Sequence, residues 1–351
     1  MIHRHGQDTQ TLHAELLALM LATESERAWA HLAGAFVEKQ VAGRTYVYFQ
    51  YSDPGGAYRQ FSVGPASSEV SRAVAAWRAG RAAGEAERAR ADRLAQLLVT
   101  AGQAATPKAV ARVLRALADA GVFRMGGVLV GTHAFSLLGN MLGVTWPAGT
   151  WRTEDVDVAG HVQVATPLLE TDIPKALDSL RMGFVPVPPF DRRHASTSFK
   201  VRGQQLRVDL LTPGAARDDA PVFVPRWRAH AAPIKHLSFV LADQQPAIAI
   251  DGGATLVMVP APARYALHKL FVSQTRSVVQ QTKASKDLEQ AALLFEVLAE
   301  DRPDDLPAAA RAFRASGAVV TRKVERAASI VGKRWPAAQA GVRLVTRALA
   351  R

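Results

Sequence analysis

The sequence predicts an α+β fold: a small mixed sheet flanked by helices, with an N-terminal helix and β-hairpin module and a C-terminal helical region. Three observations predict it. Residues 126–215 alternate short apolar runs of strand length with helical stretches. Segments 45–63 and 247–259 each show strand alternation around turn residues. Alanine- and arginine-rich helical stretches occupy 67–100 and the chain after Pro307.

Composition sets the outer bounds. The chain has 351 residues, 48% hydrophobic and 21% charged, which excludes a disordered chain, collagen and a solenoid of obvious repeats. No run of 18 uncharged apolar residues exists, so no membrane span is expected. The apolar run Leu12 to Ala22 contains Glu15 and lacks the order of a signal peptide, so no export signal is expected either. There is no cysteine, which excludes disulfides, zinc–thiolate sites and a cysteine nucleophile, and fits a cytoplasmic protein.

In chain order, residues 7–42 read as two helices, with Ser25 as the N-cap of the second. Thr45 to Tyr51 and Ala57 to Val63 alternate around Ser52-Asp-Pro-Gly-Gly56, and Gly64-Pro65 ends the second run, which predicts a hairpin. Tyr46, Tyr48, Tyr51 and Tyr58 sit in it. Such rings can stack on nucleic-acid bases, but cross-strand pairs packing on a helix are the favoured reading, because an isolated hairpin needs something to pack on.

A long Ala/Arg/Glu helix follows over 67–100, then a helix near 106–120. Residues 216–260 are loop-rich, with Pro221, Pro225, Pro233 and Pro246, and end in the second hairpin. There Ala247 to Ile250 and Thr255 to Val259 flank Asp251-Gly-Gly253. Two helices fill 261–300. The expected divisions are 1–101, a core over 102–215, a hairpin and helical unit over 216–310, and a basic helical tail over 311–351.

Charge is concentrated in that tail. Of the net charge of +12, residues 311–351 supply +9, from ten Arg and Lys against Glu325 alone. This suggests a polyanionic partner such as RNA or DNA. A solvated, arginine-rich helical surface is the plainer alternative.

Three acids carry the chemistry. Asp155 and Asp157 lie in Asp155-Val-Asp157-Val-Ala159, and Asp209 lies in Arg207-Val-Asp209-Leu-Leu211. On a strand, residues i and i+2 share a face, so Asp155 and Asp157 project together while Val156 and Val158 face a core. Acids in apolar strands are costly unless paired or metal-bound. Three oxygen donors converging on one point suit Mg²⁺, a hard ion that also takes substrate phosphates.

Upstream, Gly126-Gly-Val-Leu-Val-Gly131-Thr132 reads as a strand, a tight glycine turn and a helix start. The free amides there form an anion site, to which the Thr132 hydroxyl adds a donor. This combination resembles the nucleotidyltransferase superfamily of the DNA-polymerase-β type, whose pattern is a Gly-Ser at a helix start, a paired-acid strand and a third acid. Thr132 stands where that pattern has serine. The gap from Gly131 to Asp155 is longer than in compact members, so an insertion near Gly143–Thr150 is expected to form a loop beside the nucleotide pocket.

A second resemblance lies downstream. Lys269 and Arg276 fit a K-x6-R helix, and Lys286-Asp287 the start of the next helix, as in bacterial nucleotidyltransferases related to abortive-infection toxins. Where those often carry a further Asp, this chain has Gln290. The two resemblances cover roughly 121–300.

The resemblance implies a mechanism. Asp155 and Asp157 hold two Mg²⁺ ions bridging a nucleoside triphosphate (NTP) and the nucleophile, and Asp209 ligates the ion nearer the nucleophile and helps deprotonate it. Gly131 and Thr132 cradle the β- and γ-phosphates. Lys269 neutralises charge on the departing pyrophosphate. Asp287 orients Lys269 or contacts the nucleotide, an acid at a helix N-terminus being the plain alternative. Arg276 reads as structural. Lys283 and Lys286 read equally as phosphate contacts or a solvated face, and His133 and His268 as packing residues at least as readily as catalytic ones. No H-E-x-x-H, G-x-S-x-G or P-loop pattern occurs.

The resulting expectation is transfer of a nucleotidyl group from NTP to RNA, with the tRNA 3′ end as one candidate, in a toxin-like, cytoplasmic enzyme. The alternatives are a protein acceptor (including the protein itself), a small-molecule acceptor, a non-catalytic nucleic-acid-binding module that keeps the fold, and an antitoxin-like or scaffolding partner.

Overall fold

The computed structural model describes residues 2–26, 34–41, 43–52, 58–147, 155–160, 171–189, 191, 193–214 and 220–350. The N-terminal part runs β1 (His3–Arg4), α1 (Gln7–Glu26), β2 (Gly34–Val41), β3 (Arg44–Ser52), β4 (Tyr58–Pro65) and α2 (Ser68–Thr100). The middle runs α3 (Lys108–Asp119), β5 (Val128–Val130), α4 (Gly131–Met141), β6 (Val144–Thr145), β7 (Asp155–Ala159), α5 (Ile173–Ser179), β8 (Phe184–Pro186), β9 (Ser198–Val201) and β10 (Arg207–Pro213). Then come β11 (Val222–Val224), β12 (Ala229–Ile234), α6 (Leu237–Leu241), β13 (Gln244–Ile250), β14 (Ala254–Pro260), α7 (Pro262–Ser273), α8 (Gln281–Asp301), α9 (Asp305–Arg314), α10 (Ala318–Arg334) and α11 (Gln339–Ala350). The class is α+β, as expected.

The central sheet has the order β11-β12-β10-β7-β5, with β9 on β10 and β8 on β9. It is mixed: β10 is parallel to both β7 and β12, whereas β5 is antiparallel to β7 and β9 to β10. Strand β12 lies past residue 215 and still pairs with β10, so the loop-rich stretch contributes a strand to this sheet. The hairpin β13–β14 forms as predicted around Asp251 to Gly253. One continuous apolar core runs from Val110 on α3 through the sheet to Phe295 on α8 and Leu349 on α11. The basic helices are part of it: Phe313, Val324, Val331 and Val345 are buried there. A smaller cluster joins α1 and α2 to the second hairpin through Leu16, Leu98 and Ile250.

Helix α2 forms where its composition placed it, and the Ser67 hydroxyl accepts from the Val70 amide at its start. The second helix expected within 7–42 is not what residues 34–41 form, and residues 27–33 lie outside the described residues. Residues 34–41 are strand β2, and Ser25 lies in the last turn of α1 rather than at a cap. The predicted hairpin is therefore the β3–β4 half of a three-stranded antiparallel sheet. The reason is tertiary: three strands with an apolar face make a stable unit where two do not. That face carries Phe36 and Phe49, both edge-on to Trp77 of α2. Alternation puts Tyr46 and Tyr48 on the other face, where Lys39 lies over the Tyr48 ring. So these tyrosines do not pack on the helix. The side chains of Tyr51 and Tyr58 lie outside the described residues.

The expected loop at 143–150 is partly built into the core. Val144 and Thr145 pair with β1. Trp146 is 3% exposed, stacks on Phe135 at 4.6 Å, and donates its indole N–H to the Phe135 carbonyl. Through Trp146 this stretch packs against α4. Residues 148–150 lie outside the described residues.

Candidate active site

The site assembles at the adjoining ends of β5, β7 and β10. Strand β7 alternates as predicted: Val156 and Val158 are fully buried, while Asp155 and Asp157 are half-buried on the other face. Strand β10 alternates too, with Val208 and Leu210 buried and Arg207 and Asp209 on the open face. The parallel register pairs Asp209 with Asp157 and Arg207 with Asp155. The three acids, separated by up to 54 residues of sequence, therefore share one face of one strand pair.

The glycine turn reaches the same point from the other side. Val130 pairs with Asp157, so Gly131, the next residue, sits beside that carboxylate. Gly131 has φ +69, and a Cβ there would overlap the Asp157 carboxyl group. Only glycine permits both the left-handed backbone and this approach. Helix α4 starts at Gly131, and no side chain caps it. Its first amides are available to an anion next to three acids, an arrangement suited to phosphate held through a cation.

Electrostatics mark the same place. Burial, then Asp209 and Asp155 nearby, push the Asp157 carboxyl up to about 7. Asp209 is held differently. It accepts from Arg207 Nε at 2.7 Å and from the Ser198 hydroxyl, and Arg207 also donates to Ser198 Oγ at 2.8 Å. As the side chains stand, no group of three or more carboxylates or imidazoles among the described residues is placed to hold a metal ion. Asp209 is engaged by Arg207, and Asp155 and Asp157 lie on the same face.

Helices α7 and α8 close the site. Lys269 donates to Asp287 at 2.8 Å, and Arg276 donates to its other oxygen at 2.6 Å. Asp287 is 2% exposed. Burial alone would raise its proton affinity, but Lys269 and Arg276 outweigh it and hold the carboxylate below its usual range. Both Asp287 oxygens are thus bonded within the protein, one to Lys269 and one to Arg276. Burial pulls against the charged Lys269, yet Tyr265 and Asp287 keep its pKa raised.

Lys286 lies closer to the acids than its neighbour Lys283, which is exposed; burial and Lys269 lower the Lys286 pKa. His133 is 4% exposed, and burial with Lys286 nearby pushes it down to about 4, so it is neutral; His268 falls to about 3, chiefly by burial.

Sequence reasoning missed three residues here. Arg207 stands two residues before Asp209 on the same strand face, so the rule that paired the acids also reaches it. Ser198 reaches Asp209 only through β9–β10 register. Tyr265, one helical turn before Lys269, donates its hydroxyl to the Gly131 carbonyl at 2.8 Å.

A family model described as nucleotidyltransferase matches residues 108–314. This chain belongs to that nucleotidyltransferase family. The matched span holds every candidate site residue, from Gly131 to Asp287, and leaves out the α1–α2 module, α10 and α11. The crystal structure of an antigenic nucleotidyltransferase-like protein from Paracoccidioides brasiliensis is similar over 69% of this chain and 95% of that chain, at 14% identity and a TM-score of 0.39. No curated protein matches the nucleotidyltransferase chain described here. Among its described residues, no helix is long and apolar enough to cross a membrane.

Proposed function

We propose that this nucleotidyltransferase-family protein is a Mg²⁺-dependent enzyme that moves a nucleotidyl group from NTP to an RNA 3′ hydroxyl and releases pyrophosphate. One observation carries the reading: Asp155, Asp157 and Asp209 share one face, beside the uncapped start of α4 at Gly131. The donor set fits Mg²⁺, because it is all oxygen and because burial, with Asp209 and Asp155 nearby, disfavours the charged Asp157 carboxylate that a cation would stabilise. Asp155 and Asp157, with Asp209 as third donor, would hold the metal, and the resemblance implies two ions. A bound divalent ion supplies Lewis-acid charge to the transferring phosphate.

The chain's own residues do the rest. The α4 amides and the Thr132 hydroxyl bind the β- and γ-phosphates. Asp209, held by Arg207 and Ser198, accepts the proton of the attacking hydroxyl. That oxygen forms a bond to the α-phosphorus as the bond to the β-phosphate oxygen breaks. Lys269, fixed by Asp287, balances charge on the departing pyrophosphate.

An RNA acceptor is supported by the basic helices. Their nine described cations, from Arg311 to Arg347, are all exposed, and none pairs with an acid among the described residues. The toxin-type resemblance of the Lys269 and Asp287 helices supports the tRNA 3′ end and a toxin-like role. The test incubates wild type and Asp157→Ala with Mg²⁺, each α-labelled NTP and total RNA, then resolves RNA from protein. Label in RNA that Asp157→Ala abolishes is expected. Label only in protein moves the acceptor to protein, and label in neither overturns the reading.

A further inference from the structure

Helices α7 and α8 face each other through four polar side chains. Tyr265 and Lys269 are four residues apart on α7, and Asp287 and Gln290 three apart on α8, so each pair shares a face. Lys269 meets Asp287, as described. Tyr265 meets Gln290: the Gln290 Oε1 position lies 3.1 Å from the phenol oxygen. Both residues are buried, Tyr265 at 2% exposed and Gln290 at 0%. The phenol also reaches out of this helix pair. It is 2.8 Å from the carbonyl oxygen of Gly131, the first residue of α4.

Proton counting orders this chain of bonds. A phenol has one proton. The Gly131 carbonyl only accepts, so the proton goes there. Gln290 is then satisfied when its amide is turned by a half-rotation, presenting NH₂ to the phenol oxygen, since the two amide ends are near-isosteric. The relay runs from Gln290 to Tyr265 to Gly131. Burial keeps the phenol protonated by raising its pKa. A carboxylate at position 290 could not feed the relay, because when ionised it has no proton to donate. This gives a physical reason for glutamine there.

The relay spans two parts of the site. Gly131 opens the anion-binding turn and touches Asp157; Lys269 stands one helical turn from Tyr265, its ammonium 5.3 Å from the Tyr265 ring centre. We propose that Tyr265, oriented by Gln290, is a positioning residue whose bond to Gly131 holds the phosphate-binding turn at a fixed separation from Lys269, an inference that rests on the nucleotidyl-transfer reading above.

The test separates positioning from packing. Four proteins are compared: wild type, Tyr265→Phe, Gln290→Glu and the double variant Tyr265→Phe/Gln290→Leu. Each is titrated with Mg²⁺ and the α,β-methylene nucleoside triphosphate that binds wild type most tightly, and each is melted without ligand. Tyr265→Phe keeps the ring beside Phe135. It should weaken nucleotide binding about 5- to 10-fold, the size of one neutral hydrogen bond. Gln290→Glu should weaken it comparably. The double variant removes the amide that Tyr265→Phe deprives of its phenol contact, so its melting temperature should recover towards wild type while its affinity stays low. Wild-type affinity in Tyr265→Phe, or affinity that recovers together with the melting temperature, would overturn the positioning role. A folded wild type that binds none of the α,β-methylene analogues of ATP, GTP, CTP and UTP would instead overturn the nucleotidyl-transfer reading, and the inference with it.

Discussion

Asp157 on β7 and Asp209 on β10 stand directly opposite each other in a parallel strand pair, and only one of them has a cationic partner on its own strand. Arg207 neutralises Asp209. For Asp157, burial and the neighbouring Asp209 and Asp155 outweigh Lys269 and Arg207, and its carboxyl is pushed up to about 7. This asymmetry makes Asp157 the electrostatic weak point of the metal-free protein.

Its sign can be worked out. The carboxyl loses its proton near 7 in the fold, against 3.8 for the free group. Between those values the native state holds a proton that the unfolded chain has lost, so this group's contribution to stability falls as pH rises from about 4 to about 7. The full cost, about 4 kcal/mol, is reached above 7. In a metal chelator, Asp157→Asn is expected to melt higher than wild type at pH 8, and the two curves should converge towards pH 4. His133 works in the opposite direction, since its neutral folded form loses stability as pH falls from 6.5 towards about 4. It is present in both proteins and cancels in the difference. Melting curves from pH 4.5 to 8.5 read this directly, and equal slopes in the two proteins would contradict it.

Gly131→Ala meets two obstacles at once: a left-handed backbone and a Cβ that overlaps the Asp157 carboxyl. The expected cost is about 1–3 kcal/mol in denaturant melts, together with loss of nucleotide binding. Gly183→Ala, at φ +77 with open space around it, serves as the control. It should lose stability from strain alone and keep nucleotide binding.

The Asp287 cluster predicts a graded series. Asp287→Ala leaves the buried Lys269 ammonium without its carboxylate and should cost about 3–5 kcal/mol in chemical denaturation. Arg276→Gln leaves the Lys269–Asp287 bond in place and should cost about 1 kcal/mol. Equal losses would show that Arg276, not Lys269, is the main partner.

Helix α10 presents Arg322, Arg326 and Lys333 along one exposed stripe, at successive spacings of four and seven residues. Single-stranded RNA binding should depend on it through counterion release. Changing all three to Gln should reduce the slope of log K against log salt by about 2 in fluorescence titrations, with little change in melting temperature. An unchanged slope would move the RNA path elsewhere.

Much of the site was legible in the chain because it depends on local periodicity. The two-residue repeat placed Asp155 and Asp157 on one face and marked Asp209 as the acid of a second strand, and Gly131-Thr132 announced a turn into a helix. The same arithmetic applies to Arg207, whose proximity to Asp209 needs nothing beyond i and i+2. Strand β2 was not legible: an edge strand with Glu38, Lys39 and Gln40 acquires its identity from pairing with β3. Nor was the fate of the basic C-terminal segment, whose described cations are exposed while Val324, Val331 and Val345 join the common core.

The sequence by itself determined the α+β class, the identity of the three acids and the turn beside them, since these follow from alternation, turn chemistry and residue type. Only the tertiary structure decided register: which acid faces which, that Arg207 and Ser198 hold Asp209, and that Tyr265 and Asp287 reach across from other helices. Register and helix packing come from burying distant apolar faces against one another, and that information is spread over residues far apart in the chain.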